Sequence, residues 1–367
     1  MREVKKVLIV TNVPQDYRIA MFNALNLLLQ KENIQFKVAF GADGYKRRKS
    51  KLDFSKMKFD YTILKSTKFT FGSTENTMFT YPGLLKLHRE YKPDITFVIG
   101  YSPATIKLWF YSFFLNINYF IWSGSVNFKG RKDSTLRKIL RMILVRRAKG
   151  FIAYGTKAKE YLSYVDTHFF NEIAKKRINR KTNQIKQLLY LGYLTPGKKI
   201  DDLIKTINEL QKLRNDFSLR IIGDGPAADS LKTLTKELEL ENTIIFEGFK
   251  QKSDLPPYLE QTDCFLFQTG CDIWGLVLNE AMASGLPCIV SPNAGAARDL
   301  IFDTKNGVIL DFGFHHDAAI RINELLNDEA LLQKMGVEAN EFIEANVTAE
   351  RSAKGFMSAI KQYCQNA

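Results

Sequence analysis

Short apolar runs of strand length alternate along most of the chain with segments of helical period, and this alternation leaves few architectures open. In the second half, residues 188–194 (LLYLGYL), 217–222 (FSLRII), 243–246, 263–268 (DCFLFQ) and 287–291 (PCIVS) read as strands. Between them Ile200, Leu203, Ile204, Ile207, Leu210 and Leu213 recur at helical spacing, and a helix is expected with Leu231, Leu234, Leu238 and Leu240; further helices are expected at 255–260 and 277–284. The first half repeats the pattern, with strands at 7–10 (VLIV), 36–40, 94–99 (DITFVI), 119–122 and 150–154 and helices at 19–29 and 136–145. Strands of this kind, separated by helices, belong to parallel sheets covered on both faces. A chain of 367 residues exceeds one ordinary core and suffices for two. The expected fold class is therefore α/β, with two doubly wound Rossmann-like domains facing a central cleft. Such sheets bind ligands beyond the carboxyl ends of their strands. The polar stretch 166–186 shows no clear period, which places a linker at 171–186 between domains 1–170 and 187–348.

Charge divides the chain in the same way. Residues 1–186 hold 36 Lys and Arg against 13 Asp and Glu, a net of +23, whereas residues 187–367 hold 17 against 26, a net of −9. A basic domain attracts nucleic acid, an anionic membrane surface or a phosphorylated substrate. No nucleic-acid module accompanies the charge, so no nucleic-acid partner is expected. Positive charge is dense at Lys46-Arg47-Arg48-Lys49 and over 129–149 (KGRKDSTLRKILRMILVRRAK). There Leu136, Ile139, Leu140, Ile143 and Leu144 form an apolar stripe, with Arg137, Lys138, Arg141, Arg146 and Arg147 largely off it. Two readings stay open: a packed helix of the first domain with a basic outer face, or a helix that docks on an anionic membrane. The longest apolar stretch, 108–122 (LWFYSFFLNINYFIW), is broken by Asn116 and Asn118 and is shorter than the roughly 20 residues of a bilayer span. It is expected to form a buried helix followed by a strand. The first ten residues show no secretory leader pattern. The expected location is cytoplasmic, with peripheral placement on the inner face of the membrane under the docking reading. Cys264, Cys271, Cys288 and Cys364 lack zinc-ligand spacing, and there are only four histidines. With no Asp-x-Asp at a strand end, neither a metal nor a cofactor is expected.

One segment carries the chemistry. Gly270-Cys271-Asp272-Ile273-Trp274-Gly275-Leu276 leaves a buried strand and turns into a helix that Gly285 and Pro287 end. Backbone N–H groups near Ile273 to Leu276, together with the helix dipole, make an anion site suited to a diphosphate. Glu280, about one turn inside, is placed to accept from paired ribose hydroxyls. Asp272 at the lip is placed to meet sugar hydroxyls. Taken singly, an acid before a helix is a cap and a glutamate within it is a solvated side chain; the whole string carries the functional reading.

That string resembles the signature of retaining GT-B glycosyltransferases of glycosyltransferase family 4 (glycosyl transferases group 1). The signature has two acids separated by seven residues and then Ala-Met-Ala-x-Gly-x-Pro, here Asp272, Glu280 and Ala281-Met282-Ala283-Ser284-Gly285-Leu286-Pro287. The first acid is usually Glu in the family. Residues 191–201 (LGYLTPGKKID) resemble its Gly-Arg-Leu-x-x-x-Lys-Gly-x-Asp segment. Gly223-Asp224-Gly225-Pro226 resembles its Gly-x-Gly-Pro turn, and Phe246-Glu247-Gly248-Phe249 the strand that ends beside the base. The resemblance is strong over about 187–312 and weak before that. It implies a retaining transfer from a nucleotide sugar, UDP- or GDP-linked, to a glycan or lipid-linked acceptor in cell-surface polysaccharide synthesis, with the nucleotide sugar a substrate rather than a cofactor. It implies catalytic roles for Asp272, Glu280 and Lys198, and donor contacts from Gly192, Gly223, Gly225, Phe249, Ile273, Trp274, Gly275 and Leu276. Asn12, Arg18 and Trp122 would lie on the acceptor side, and the last helix, 349–367, would pack back on the first domain. Four departures stand out. Tyr193 occupies the place of the usual diphosphate arginine, which leaves Lys198 as the side-chain cation. Lys199 stands where Gly is usual. No histidine lies near Trp122-Ser123-Gly124, and the loop 12–18 lacks the common glycine pair. The rival reading is a non-catalytic nucleotide-sugar-binding or scaffold subunit of a glycan-assembly complex.

Overall fold

A computed structural model describes residues 3–44, 53–70, 77–123, 135–153, 167–178, 180, 184–272 and 274–366. The chain divides into two compact units: Met1–Tyr164 with Ala349–Ala367, and Val165–Thr348. Among the described residues, no helix is long and apolar enough to cross a membrane.

Unit 1 contains strands β1 (Lys6–Thr11), β2 (Gln35–Phe40) and β3 (Asp60–Ile63), a short antiparallel ribbon β4 (Lys68–Thr70) and β5 (Thr77–Phe79), then β6 (Ile95–Ile99), β7 (Tyr119–Ser123) and β8 (Gly150–Ala153). Its helices are α1 (Asp16–Lys31), α2 (Leu84–Tyr91), α3 (Pro103–Tyr111) and α4 (Thr135–Arg147). The main sheet is parallel with order β3-β2-β1-β6-β7-β8. Alternate residues of β1 serve two separate cores, as the period of two demands. Val7 and Ile9 pack with Phe22 and Leu25 of α1, whereas Leu8 and Val10 pack with Ala104 and Leu108 of α3. α3 and α4 pack on the same face of the sheet, in the core that holds Leu8 and Val10.

Unit 2 begins with α5 (Thr167–Ile178) and continues through β9 (Lys186–Leu191), α6 (Ile200–Gln211), β10 (Phe217–Ile222), α7 (Ala228–Glu237), β11 (Ile244–Gly248), α8 (Pro256–Gln261) and β12 (Cys264–Phe267). Then come α9 (Leu276–Ala283), β13 (Cys288–Val290), α10 (Ala297–Leu300), β14 (Gly307–Ile309), α11 (His315–Asn327) and α12 (Glu329–Asn346). Its sheet, also parallel, has the order β11-β10-β9-β12-β13-β14. Counted within its own unit, each six-stranded sheet reads 3-2-1-4-5-6, the order of dinucleotide-binding folds, with its reversal beside the first strand. The last helix, α13 (Ala349–Asn366), belongs to unit 1, where Ala353, Phe356 and Ile360 join the core beneath α1.

Three sequence expectations need correction. The stretch expected as a linker is helical over α5, with Phe170, Ile173 and Ala174 buried. These residues do have helical spacing, but over one turn only and among Lys, Arg and Asn. The apolar run 108–122 is not a buried helix and strand throughout, because Phe110, Phe113 and Phe114 are exposed at the end of α3. The α4 stripe does not face the core either: of Leu136, Ile139, Leu140, Ile143 and Leu144, only Leu144 is buried. The helix instead packs with Leu144, Val145 and Ala148 toward the sheet. Tyr154, Gly124, the run Lys46–Lys49 and residues 129–134 lie outside the described residues.

Candidate functional site

The reversal of strand order in unit 2 falls between β9 and β12, so the chain diverges on either side of the sheet at their carboxyl ends. After β9 the chain passes Gly192 and makes a turn of 3₁₀ helix at Pro196–Lys198. After β12 it forms the loop from Gln268 to Gly275 and enters α9. The two loops meet. Gln268 Nε2 donates to the carbonyl of Lys199 at 3.1 Å, and a side chain at Gly270 would lie 2.7 Å from the carbonyl oxygen of Gly197. At this junction the ammonium of Lys198 donates to Oδ2 of Asp272 in a direct ion pair. Both side chains are mostly shielded, at 19% and 24% exposure, so the attraction is screened less than at an open surface.

Asp272 is held from several sides. Its N–H donates to the Asn293 carbonyl at 3.2 Å, and its own carbonyl accepts from Gly295 at 3.0 Å. Its second carboxylate oxygen, Oδ1, accepts from the Trp274 N–H at 3.2 Å. That contact corrects one expectation: the Trp274 amide already serves Asp272, because an aspartate accepts readily from the backbone two residues on. Trp274 contributes packing rather than an exposed ring. Its indole is buried and donates to Asn279 Oδ1 at 3.2 Å. Gly275 then turns at φ +91°, and a side chain there would meet the Phe267 ring at 2.5 Å, so glycine is required on both counts. Leu276 opens α9, and within its first turn the Leu278 N–H donates to the Gly275 carbonyl at 2.9 Å. Glu280 sits half-buried in the helix, flanked by the buried Asn279 and Ala281. Ile273 lies outside the described residues.

The other residues expected to contact a donor gather at the ends of β9, β10 and β11. The Gly192 N–H donates to the Ile222 carbonyl at 3.0 Å, and the Gly223 N–H to the Gly248 carbonyl at 2.9 Å. A side chain at Gly223 would fall 1.9 Å from the Gly192 carbonyl oxygen, and one at Gly225 would fall 2.2 Å from that of Leu194. These glycines let three backbone segments touch. Phe249, next to Gly248, presents a partly exposed ring. Beside it Glu247 accepts from Arg220 and, at 3.0 Å, from the Tyr258 hydroxyl. Burial works to raise the Glu247 pKa, but these hydrogen bonds and the charges of Arg220 and Lys250 hold it below its ordinary value.

Two residues of this unit were not singled out from the sequence. Tyr190, on β9, is fully buried, and its hydroxyl has no hydrogen-bond partner among the described residues. Its pKa is raised by burial and then by the nearby Asp272 charge. Arg177, on α5, donates to the carbonyls of Leu259 at 2.8 Å, Gly285 at 3.2 Å and Thr262. It thereby ties α5 to the end of α8 and the end of α9. Burial lowers its pKa to about 10. Neither residue has a local sequence signal, because each acts on groups far away in the chain.

In unit 1 the corresponding reversal lies between β1 and β6, and Asn12 and Arg18 follow β1. Asn12 accepts from the Tyr81 hydroxyl. Arg18 donates to Thr11 Oγ1 at 2.8 Å and stacks over the Trp122 ring at 4.9 Å. The structure thus brings Arg18 and Trp122 together, both buried, with Trp122 edge-on to Phe22 and Phe356 in the core. Among the described residues, no cluster of His, Cys, Asp or Glu could hold a metal ion.

Comparison with known proteins agrees with this arrangement. The family described as Glycosyl transferases group 1 matches residues 171–342. An N-acetyl-alpha-D-glucosaminyl L-malate synthase from Bacillus anthracis is 28% identical over 166 residues, 45% of this chain and 42% of the relative. A GDP-mannose-dependent alpha-(1-6)-phosphatidylinositol monomannoside mannosyltransferase from Mycolicibacterium smegmatis is 31% identical over 155 residues, 40% of each chain. The chain thus spans about two fifths of the length of these two curated relatives. The solved structure of Anabaena HepE in complex with UDP superposes with a TM-score of 0.74 at 16% identity, covering 97% of this chain and 100% of that one. At that identity the likeness establishes the GT-B fold.

Proposed function

We propose that the chain, whose residues 171–342 match the glycosyl transferases group 1, transfers a sugar, with retention, from a UDP- or GDP-linked donor to a glycan or lipid-linked acceptor. The observation that carries this reading is the Lys198–Asp272 ion pair at the strand-order reversal of unit 2, beside the start of α9. A diphosphate seated there competes with Asp272 for the Lys198 ammonium. Lys198 and the first-turn amides of α9 then stabilise the negative charge that builds on the leaving diphosphate, an electrostatic contribution placed where charge develops. The displaced Asp272 carboxylate accepts from sugar hydroxyls, and Glu280 accepts from the ribose pair. On the acceptor side the reading places Asn12, Arg18 and Trp122. A lipid-linked acceptor is supported by the relative named for phosphatidylinositol monomannoside and by the +23 charge of residues 1–186, which favours an anionic membrane surface.

Calorimetric titration with UDP, GDP and their sugars tests the donor site, and release of the free nucleotide with and without acceptor tests the transfer. Glu280→Gln is expected to weaken nucleotide binding about tenfold, the scale of one charge-assisted hydrogen bond, with the melting temperature unchanged. Equal affinity and full activity in this variant would refute the assignment of Glu280. Tight nucleotide binding without release in the presence of any acceptor would favour the rival, non-catalytic subunit.

A further inference from the structure

The described surface of unit 1 carries apolar side chains where a monomer in water gains nothing from them. On α4, Leu136 is 76% exposed and Ile139, Met142 and Ile143 are exposed as well. They recur at helical spacing on the side turned away from Leu144 and the sheet. At the end of α3, Phe110, Phe113 and Phe114 are exposed, Phe114 at 72%. Phe113 and Phe114 follow Phe110 by three and four residues, in the turn just after the helix, and the Phe110 and Phe114 rings are 5.5 Å apart. The two groups are neighbours. Arg147, at the end of α4, donates to Ser112 Oγ at 2.9 Å and to the Ser112 carbonyl at 2.7 Å, and its guanidinium covers the Phe113 ring at 4.5 Å.

Charge identifies what covers this face. Between residues 101 and 150 the sequence holds ten Lys and Arg and one acidic residue, Asp133, and α4 itself holds no acid. Lys138 and Arg146 are exposed beside the apolar stripe. A protein interface is depleted of lysine at its centre and answers its charges with opposite ones. An apolar face on a helix that carries cations and no acid matches the interfacial zone of a bilayer, where acyl chains lie beneath anionic headgroups. We propose that the outward side of α4 and the Phe110–Phe114 turn of α3 form a docking face that inserts into an anionic lipid surface. This rests on the membrane-peripheral part of the function proposed above and adds the depth of contact: the aromatic turn enters the acyl boundary, while Lys138 and Arg146 stay at the headgroups. Binding therefore has two components. The ionic one weakens as salt shortens the screening length from about 8 Å at physiological strength to about 3 Å at 1 M, and the apolar one persists.

The test is flotation of the full chain with vesicles of phosphatidylcholine alone or with phosphatidylglycerol. Wild type is compared with Phe110→Ser/Phe113→Ser/Phe114→Ser and with Lys138→Gln/Arg146→Gln, the folding of each checked by thermal melting. Wild type is expected to float strongly with anionic vesicles and weakly with phosphatidylcholine alone, and to retain at 1 M salt a part of its binding comparable to the latter. The triple variant is expected to lose about tenfold in partition at low salt and all binding at 1 M. The double variant is expected to lose mainly the salt-sensitive part. A Phe114→Trp probe quenched by bromine on the acyl chains would place the turn in the bilayer. A triple variant that floats like wild type overturns the insertion face while leaving the membrane reading intact. Failure of wild type to float at low salt overturns both, yet leaves nucleotide titration as a separate test of the enzyme. A dimer in sedimentation equilibrium that the triple variant dissociates would assign the face to a second copy of the chain and overturn the lipid proposal.

Discussion

Lys198 and Asp272 stand 74 residues apart in sequence and form a direct ion pair where the two strands at the reversal of unit 2 end. In the proposed donor site the pair supplies the positive charge, Tyr193 standing where the resemblance to glycosyltransferase family 4 implies a diphosphate arginine. It also stores that charge on a partner that a more highly charged anion can displace.

Lys198→Ala is accordingly expected to lower kcat/KM by about ten- to a hundredfold, the range of a charge-assisted hydrogen bond worth roughly 1.5–3 kcal/mol. Lys199→Gly is the informative control. Lys199 sits at φ +49°, a left-handed conformation that costs a residue with a Cβ roughly 1 kcal/mol. Its own carbonyl, not its side chain, accepts from Gln268. Lys199→Gly should therefore keep activity and raise the unfolding free energy by no more than about 0.6 kcal/mol, net of the entropy glycine regains in the unfolded chain. Greater kinetic damage from Lys199→Gly than from Lys198→Ala would mean that Lys199 holds the diphosphate.

The sequence made the parallel α/β plan legible because buried strands such as LLYLGYL and FSLRII declare themselves as apolar runs. It made the Asp272 loop legible because Gly270, Gly275 and Pro287 punctuate it. The distant partner of each site residue was not legible. Nothing local to Asp272 announces Lys198, although its acceptance from the amide two residues on, at Trp274, follows a local pattern. The stripe on α4 failed for a different reason. Helical spacing shows that one side is apolar, but not whether that side meets the sheet or the solvent, and here Leu144 alone of the stripe turns inward.

Arg177 shows what was missed at α5. Its guanidinium satisfies carbonyls at the ends of α8 and α9, and it is the α9 end, at Gly285, that sets how the helix bearing Glu280 leaves the sheet. Arg177→Met keeps most of the volume but orphans several buried acceptors. The expected loss is about 2–4 kcal/mol of unfolding free energy, read by urea denaturation, with nucleotide affinity reduced as α9 loosens. A variant with wild-type stability would show that water replaces the guanidinium at no cost.

The last prediction concerns pH. His88 on α2 is buried, and burial lowers its pKa from 6.5 to about 4. The sign follows from linkage: the unfolded chain takes up a proton near pH 6.5, while the folded chain resists until about pH 4. The contribution of His88 to stability is thus complete above pH 6.5, declines as pH falls through that window and levels off below about 4. The slope is about 1.4 kcal/mol per pH unit, one proton's worth. Chemical denaturation of wild type and His88→Gln across pH 7 to 4.5 measures it. Glutamine carries no charge anywhere in this range, so the variant should lose one proton from the slope and converge on wild type, or exceed it, at the acid end. Parallel curves for the two proteins would mean that His88 accepts a proton in place, with water reaching its ring in the folded state.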